Sequence, residues 1–272
     1  MTDASRSRVA AGGPGRTGRS SWVAPLCWSA VALEGFDLVV LGVVLPALLD
    51  EPTWGLNPAT ASLVSTAGLL GVLVGALSVG PVADRIGRRK AMLITVVSFS
   101  ILSLACAFAV GPWTFGALRF LAGLGLGGVL PVAIALVNEH GRPGRGGSAT
   151  TVLMTGYHVG AVVTSLLGIW VIPALGWQWM FVLGSVPALV LAPMLARFLP
   201  DDTPAVPAGT TTERPVTRNP VAQLVKDGYL PSSISFWVAS FMGLLLVYGL
   251  NTWLPQIMRA AGCSARRPAA GP

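Results

Sequence analysis

Charge is scarce in this chain. Only 11% of its 272 residues are Asp, Glu, Lys or Arg, against roughly 25% in soluble domains. Histidine occurs twice and cysteine three times. The cysteines (Cys27, Cys106 and Cys263) stand far apart with no CxxC and no Cys/His spacing, which excludes the usual zinc and redox motifs, so no metal site is expected. Two of them fall in apolar runs, where they serve as small packing residues. No cofactor motif is present either.

Apolar residues fill the space that charge leaves. The hydrophobic share is 53%, too much to hide in one water-soluble core, so the bilayer is part of the solvent. The 33 Gly and 21 Pro fit that setting, because membrane helices tolerate both. The formal charge of +7 does not point to nucleic acid. The basic residues sit in short connections between apolar runs, which is the pattern of cytoplasmic loops.

Seven runs are long enough to cross about 30 Å of hydrocarbon as helices. They lie near Trp22–Leu49, Ala59–Val82, Ala91–Val110, Trp113–Val137, Ala149–Val171, Trp177–Leu199 and Ser232–Ile257. The connections alternate. Asp50-Glu51-Pro52, Gly111-Pro112 and Gly176 carry no Lys or Arg, whereas Asp84 to Lys90 and Glu139 to Arg145 are basic. Arg6, Arg8, Arg16 and Arg19 precede the first run, and Arg214, Arg218 and Lys226 come after the sixth. This alternation predicts a multi-pass inner (plasma) membrane protein with a cytoplasmic N-terminus.

The expected organisation is a disordered cytoplasmic tail over 1–21, a six-helix bundle over 22–199 and a Pro/Thr-rich cytoplasmic linker over 200–231. A seventh helix over 232–258 and an atypical tail over 259–272 complete it. Six helices, a long linker and a further helix resemble a six-plus-six transporter up to its midpoint.

Charges inside a span are costly, about 2.5–3.5 kcal/mol each at the bilayer centre on insertion scales. Glu34 and Asp37 lie in the first span, three residues apart and so on one helical face. Arg119, in the fourth span, is a partner of opposite sign. Two readings stand: a proton-coupling site with Arg119 meeting an anionic substrate, or a structural ion pair that orients two helices. His158 in the fifth span is a further candidate for proton relay, or else a packing residue within the Gly156–Gly160 small-residue face. Tyr248, Asn251 and Trp253 late in the seventh span offer a hydrogen-bonding amide and two stackable rings, or membrane-interface anchors. Trp22, Trp54, Trp113, Trp177 and Trp179 fall at span ends or in loops and are expected in the interfacial belt.

The stretch Gly80-Pro81-Val82-Ala83-Asp84-Arg85-Ile86-Gly87-Arg88-Arg89-Lys90 resembles the loop signature of the major facilitator superfamily, G-x-x-x-D-R-x-G-R-R/K, and lies between the second and third spans as it does there. Arg119 through Gly125 resembles the fourth-helix motif R-x-x-x-G-x-G of the same family. Three further places are similar to the aromatic acid:proton symporters, the benzoate and hydroxybenzoate carriers: Glu34-Gly35-Phe36-Asp37 in the first helix, Gly125 to Pro131 continuing to Asn138-Glu139 in the fourth, and Tyr248 to Pro255 in the seventh.

The resemblance implies an all-α membrane protein: the N-terminal six-helix bundle of a major facilitator fold, a linker and one helix of the second bundle. It implies a secondary active transporter that imports a small aromatic acid, benzoate-like, with a proton by alternating access. Asp37, Glu34 and Arg119 would couple the proton. Arg119, Tyr248, Asn251 and Trp253 would bind substrate. Gly80, Asp84, Arg85, Gly87, Arg88 and Arg89 would form a conformational loop, with Glu139 as a further candidate. The second reading is a truncated, non-transporting fragment of such a carrier. An enzyme is not expected, because no nucleophile–base motif accompanies the paired carboxylates.

Overall fold

The computed structural model describes residues 22–140, 146–200 and 230–261. The tail 1–21, nearly all of the linker and the last residues, Cys263 included, lie outside the described residues. Seven α-helices make up what is described: α1 Val23–Leu49, α2 Pro58–Ile86, α3 Arg88–Cys106, α4 Pro112–His140, α5 Gly146–Leu175, α6 Gln178–Phe198 and α7 Leu230–Ala260. Each is long and apolar enough to cross a membrane. The 27 residues of α1 span about 40 Å at 1.5 Å per residue.

Local chemistry sets the helix ends. Asn57 caps α2 by accepting the Thr60 N–H at 2.9 Å, with Pro58 at the first helical position. α2 and α3 are separated by Gly87 alone, at φ +98°, a backbone setting that a Cβ would strain. The expected basic loop is therefore two helix ends meeting at one residue. Asp84 and Arg85 lie in the last turn of α2, and Arg88 to Lys90 open α3.

α1 is the central helix. Its buried residues run all round it, from Val23 and Val31 to Leu41 and Leu48, as expected of a helix apolar on every side. It packs most extensively on α5, and also on α6, α4 and α7. The other large contacts are α2 on α4, and α3 on α4 and on α6. Small residues set the closest approaches. A Cβ on Gly123 would stand 2.8 Å from the Val72 nitrogen, and one on Gly156 would stand 2.8 Å from the Trp28 carbonyl. Both are tighter than side-chain contacts allow, so the backbones touch. Gly80 does not take part, because nothing lies within 4 Å of its Cβ position.

Leu70, Leu73 and Leu77 on α2, Leu166, Ile169 and Trp170 on α5, and Phe236, Phe241 and Leu245 on α7 are exposed. Such a surface is suited to lipid. α7 has no buried residue. The tryptophans divide. Trp22, Trp113 and Trp179 are exposed, as belt residues should be. Trp177 is buried and packs edge-on against Trp54 and Phe181, with centroids 5.3 and 6.1 Å apart. The belt assignment therefore fails for Trp177, because the turn at Gly176 (φ +93°) folds it under the bundle end.

Candidate functional site

The first-helix carboxylates do not share one environment. Asp37 is buried and fully partnered. Its Oδ2 accepts from Arg119 Nη1 at 2.7 Å, its Oδ1 accepts from the Ser103 hydroxyl at 2.5 Å, and its main-chain carbonyl accepts from Arg119 Nη2 at 3.1 Å. Both charged side chains are nearly inaccessible, at 6% and 4% exposure. The Arg119 guanidinium also lies 5.8 Å from the Phe181 ring centroid, within cation–π range. Three helices thus converge on Asp37: α4 brings the cation, α3 the hydroxyl and α6 the aromatic face. A buried pair with such complete hydrogen bonding offsets most of its own desolvation cost.

Glu34, one helical turn earlier, is also buried, yet its Oε2 has no hydrogen-bond partner. Tyr157 stands on α5 and Tyr248 on α7, two helices packed against α1. Both line a cavity among α1, α2, α4, α5 and α7, together with Leu38, Ser65, Arg119 and Asn251. About 20 Å³ of this cavity is open to the centre of a water molecule. That is enough for one ordered water and too little for an aromatic ring.

The structure therefore brings Arg119, Tyr248 and Asn251 to one cavity. Trp253 is half-buried and does not line it. His158 is exposed on the outer side of α5, ring to ring with Tyr157 at 5.5 Å. At the basic end Arg88 pairs with Glu139 at 3.1 Å and with Asp84 at 3.7 Å, and Arg89 donates to the Ala196 carbonyl. These contacts tie α2, α3, α4 and α6 together there, while Arg85 is exposed. At the opposite end Arg259 of α7 reaches Asp50 at 2.5 Å and the Pro46 carbonyl at 3.2 Å. No group of three or more metal-ligating side chains occurs among the described residues.

Ser103, Tyr157 and Phe181 belong to the site but are not singled out by sequence. Tyr157 carries a usable signal. It stands three residues before Gly160, whose packing face meets α1, so Tyr157 points the same way and its neighbour His158 does not. Ser103 and Phe181 carry no local mark, because their roles arise from helix packing alone.

A buried acid–guanidinium pair thus lies beside a small cavity inside a set of seven membrane-length helices. The model of the Major Facilitator Superfamily matches residues 27–271. This chain belongs to the major facilitator superfamily. Among curated superfamily members it is 37% identical over 270 residues to the gallate transporter of Pseudomonas putida, covering 90% of this chain and 60% of that protein. It is 35% identical to the gentisate transporter of Corynebacterium glutamicum (91% and 56% covered) and 30% identical to the benzoate transport protein of Acinetobacter baylyi (89% and 60%). The chain thus spans about 60% of the length of such relatives. Among solved structures, an inward-facing, occupied bacterial homologue of the human lysosomal transporter Spinster superposes with a TM-score of 0.68 at 20% identity, covering 92% of this chain and 55% of that one. The inward-open xylose transporter XylE of E. coli gives 0.60 at 17% identity, covering 67% and 48%. These likenesses establish the fold: the N-terminal bundle of a major facilitator plus one helix of the second. The superfamily and these relatives are transporters and not enzymes, and the chain is a multi-pass membrane protein.

Proposed function

We propose that this chain carries the substrate-binding half of a secondary active transporter that takes up a small aromatic carboxylate together with a proton. Arg119 is the observation that carries the reading. It is a cavity-lining guanidinium, buried in apolar surroundings, whose Nε–H has no hydrogen-bond partner. A carboxylate reaching the cavity would meet that donor and a positive charge. Tyr157, Tyr248 and Asn251 would surround the ring with polar-edged aromatic surface and an amide. The aromatic acids in the names of the similar transporters agree with this chemistry.

The present cavity is closed around water-sized space, so admitting substrate requires helices to part. α7 is the helix placed to move. It has no buried residue, and it meets α1 where Gly42 lies against the backbone of Asn251 and Thr252. Alternating access then means rocking α7 away from α1, breaking the Asp50–Arg259 bridge on one side of the membrane. The positive-inside pattern assigns the Arg85–Lys90 end to the cytoplasm, and with it the N-terminus and the linker, in the inner membrane. Glu34 and Asp37 provide the protonatable groups for coupling.

Benzoate added to weakly buffered cells producing this chain should make the medium more alkaline as protons enter with the solute. Xylose should leave the pH unchanged. If benzoate, gallate and gentisate all fail to produce a transient, the proposal fails.

A further inference from the structure

The backbones of α2 and α4 meet along a line of glycines, and one of these is not required by the contact. A Cβ on Gly71 or Gly75 would run into the backbone of Phe120 or Leu124, so both positions must lack a side chain for the helices to touch. Gly68, three residues before Gly71 on the same buried face, is different. The atoms nearest to a Cβ there all belong to Arg119, whose own Cβ lies at 3.7 Å and Nε at 3.9 Å, which is ordinary van der Waals contact. Packing therefore admits alanine at position 68, and alanine favours a helix more than glycine does. What glycine leaves is room beside the Arg119 side chain.

That edge of the guanidinium is the unused one. Asp37 engages Nη1 through its carboxylate and Nη2 through its main-chain carbonyl. Nε has no hydrogen-bond partner, although the residue is only 4% exposed. Gly68 and Arg119 line the same cavity, and so does Ser65, three residues before Gly68. The Ser65 hydroxyl donates to the Ala61 carbonyl at 2.9 Å. A hydroxyl has one proton and two lone pairs. With its proton held by its own helix, Ser65 offers the cavity an acceptor and no donor. The α2–α4 wall thus presents a charged donor at Gly68 and, one turn and about 5–6 Å away, a neutral acceptor.

We propose that Gly68 and Ser65 of α2 set the specificity of the cavity: the gap at Gly68 admits a carboxylate oxygen to the Arg119 Nε–H, and Ser65 Oγ accepts a hydrogen bond from a hydroxyl on the ring beyond the ortho position. This rests on the transport reading above and deepens it. A carboxylate has no proton to give Ser65, so the two groups fix which end of the substrate lies where. The arrangement outlasts the movement that admits substrate. α2 and α4 stay joined at Gly71, Gly75 and Gly123, whereas Tyr248 and Asn251 of the facing wall belong to α7.

Equilibrium binding to the whole chain in lipid nanodiscs tests this, with radiolabelled benzoate and 3-hydroxybenzoate as probes. The wild type should bind 3-hydroxybenzoate about fivefold more tightly, as one added neutral hydrogen bond allows. Ser65→Ala should bind both acids alike, at the wild-type affinity for benzoate. Gly68→Ala should weaken both by about tenfold or more, with a thermal midpoint no lower than that of the wild type. A wild type without the preference, a preference kept by Ser65→Ala, or wild-type binding by Gly68→Ala overturns the proposal. Arg119→Gln separates it from the reading beneath it. Binding that is lost in Arg119→Gln but untouched by both α2 variants keeps Arg119 as the carboxylate receptor and removes the role of Gly68 and Ser65. A wild type that binds neither probe removes both.

Discussion

Neutralising one member of the Asp37–Arg119 pair should harm the fold more than neutralising both. In Asp37→Asn the guanidinium stays buried at 4% exposure with its carboxylate gone. Arginine cannot shed its proton, so no change of ionisation relieves it. Stripping one partner from a buried pair costs about 3–5 kcal/mol, and that range applies here because both members are almost inaccessible. Arg119→Gln also strands a charge and is expected to cost several kcal/mol. The double variant strands none, and its two amides can bond to each other and to Ser103. Its loss should be no greater than that of the worse single variant, giving a coupling energy of about 3 kcal/mol. Unfolding in mixed detergent micelles, tracked by the emission of the nine tryptophans, measures all four corners of the cycle. Single losses that add to within about 0.5 kcal/mol in the double variant would show that the two side chains do not act as a buried pair.

Other consequences are simpler to check. Gly71 and Gly75 of α2 lie against the backbone carbonyls of Phe120 and Leu124 on α4. Gly75→Leu should therefore lower stability by about 1–3 kcal/mol or more through overpacking, whereas Gly80→Leu, with open space around it, should cost little in the same unfolding assay. Asp50→Asn removes an ion pair whose members are 61% and 47% exposed. Its stability cost should stay below about 1 kcal/mol, and a spin label pair on the outer ends of α1 and α7 should report wider separation. Asn251→Leu should weaken benzoate binding by tenfold or more in a scintillation proximity assay, and Trp253→Leu by less, because only Asn251 lines the cavity.

The architecture is legible in the sequence because the bilayer imposes one strong rule. A span must be long and apolar, so hydropathy locates all seven helices. Their ends are less legible. α2 runs past Val82 to Ile86 because the chain can turn at Gly87 alone, a matter of backbone conformation and not of hydropathy. The ion pair is half legible. Charges in a span must find partners, which links Asp37 to Arg119 across the sequence. The rule does not say that Glu34, on a similar face, finds none. That difference comes from Ser103 and Phe181, delivered by α3 and α6 through packing. Trp177 and Trp54 illustrate the same limit. A tryptophan at a span end looks alike in sequence whether it meets lipid headgroups or, as Trp177 does here, folds under the bundle.

The proposed function makes Arg119 the receptor for the carboxylate of the substrate. Accumulation of labelled benzoate should be measured in liposomes containing this chain, with and without an inward proton gradient, for the wild type and Arg119→Gln. Uptake above the external concentration is expected for the wild type only when the gradient is present, and none for the variant. Gradient-driven accumulation by Arg119→Gln at the wild-type level would contradict that role.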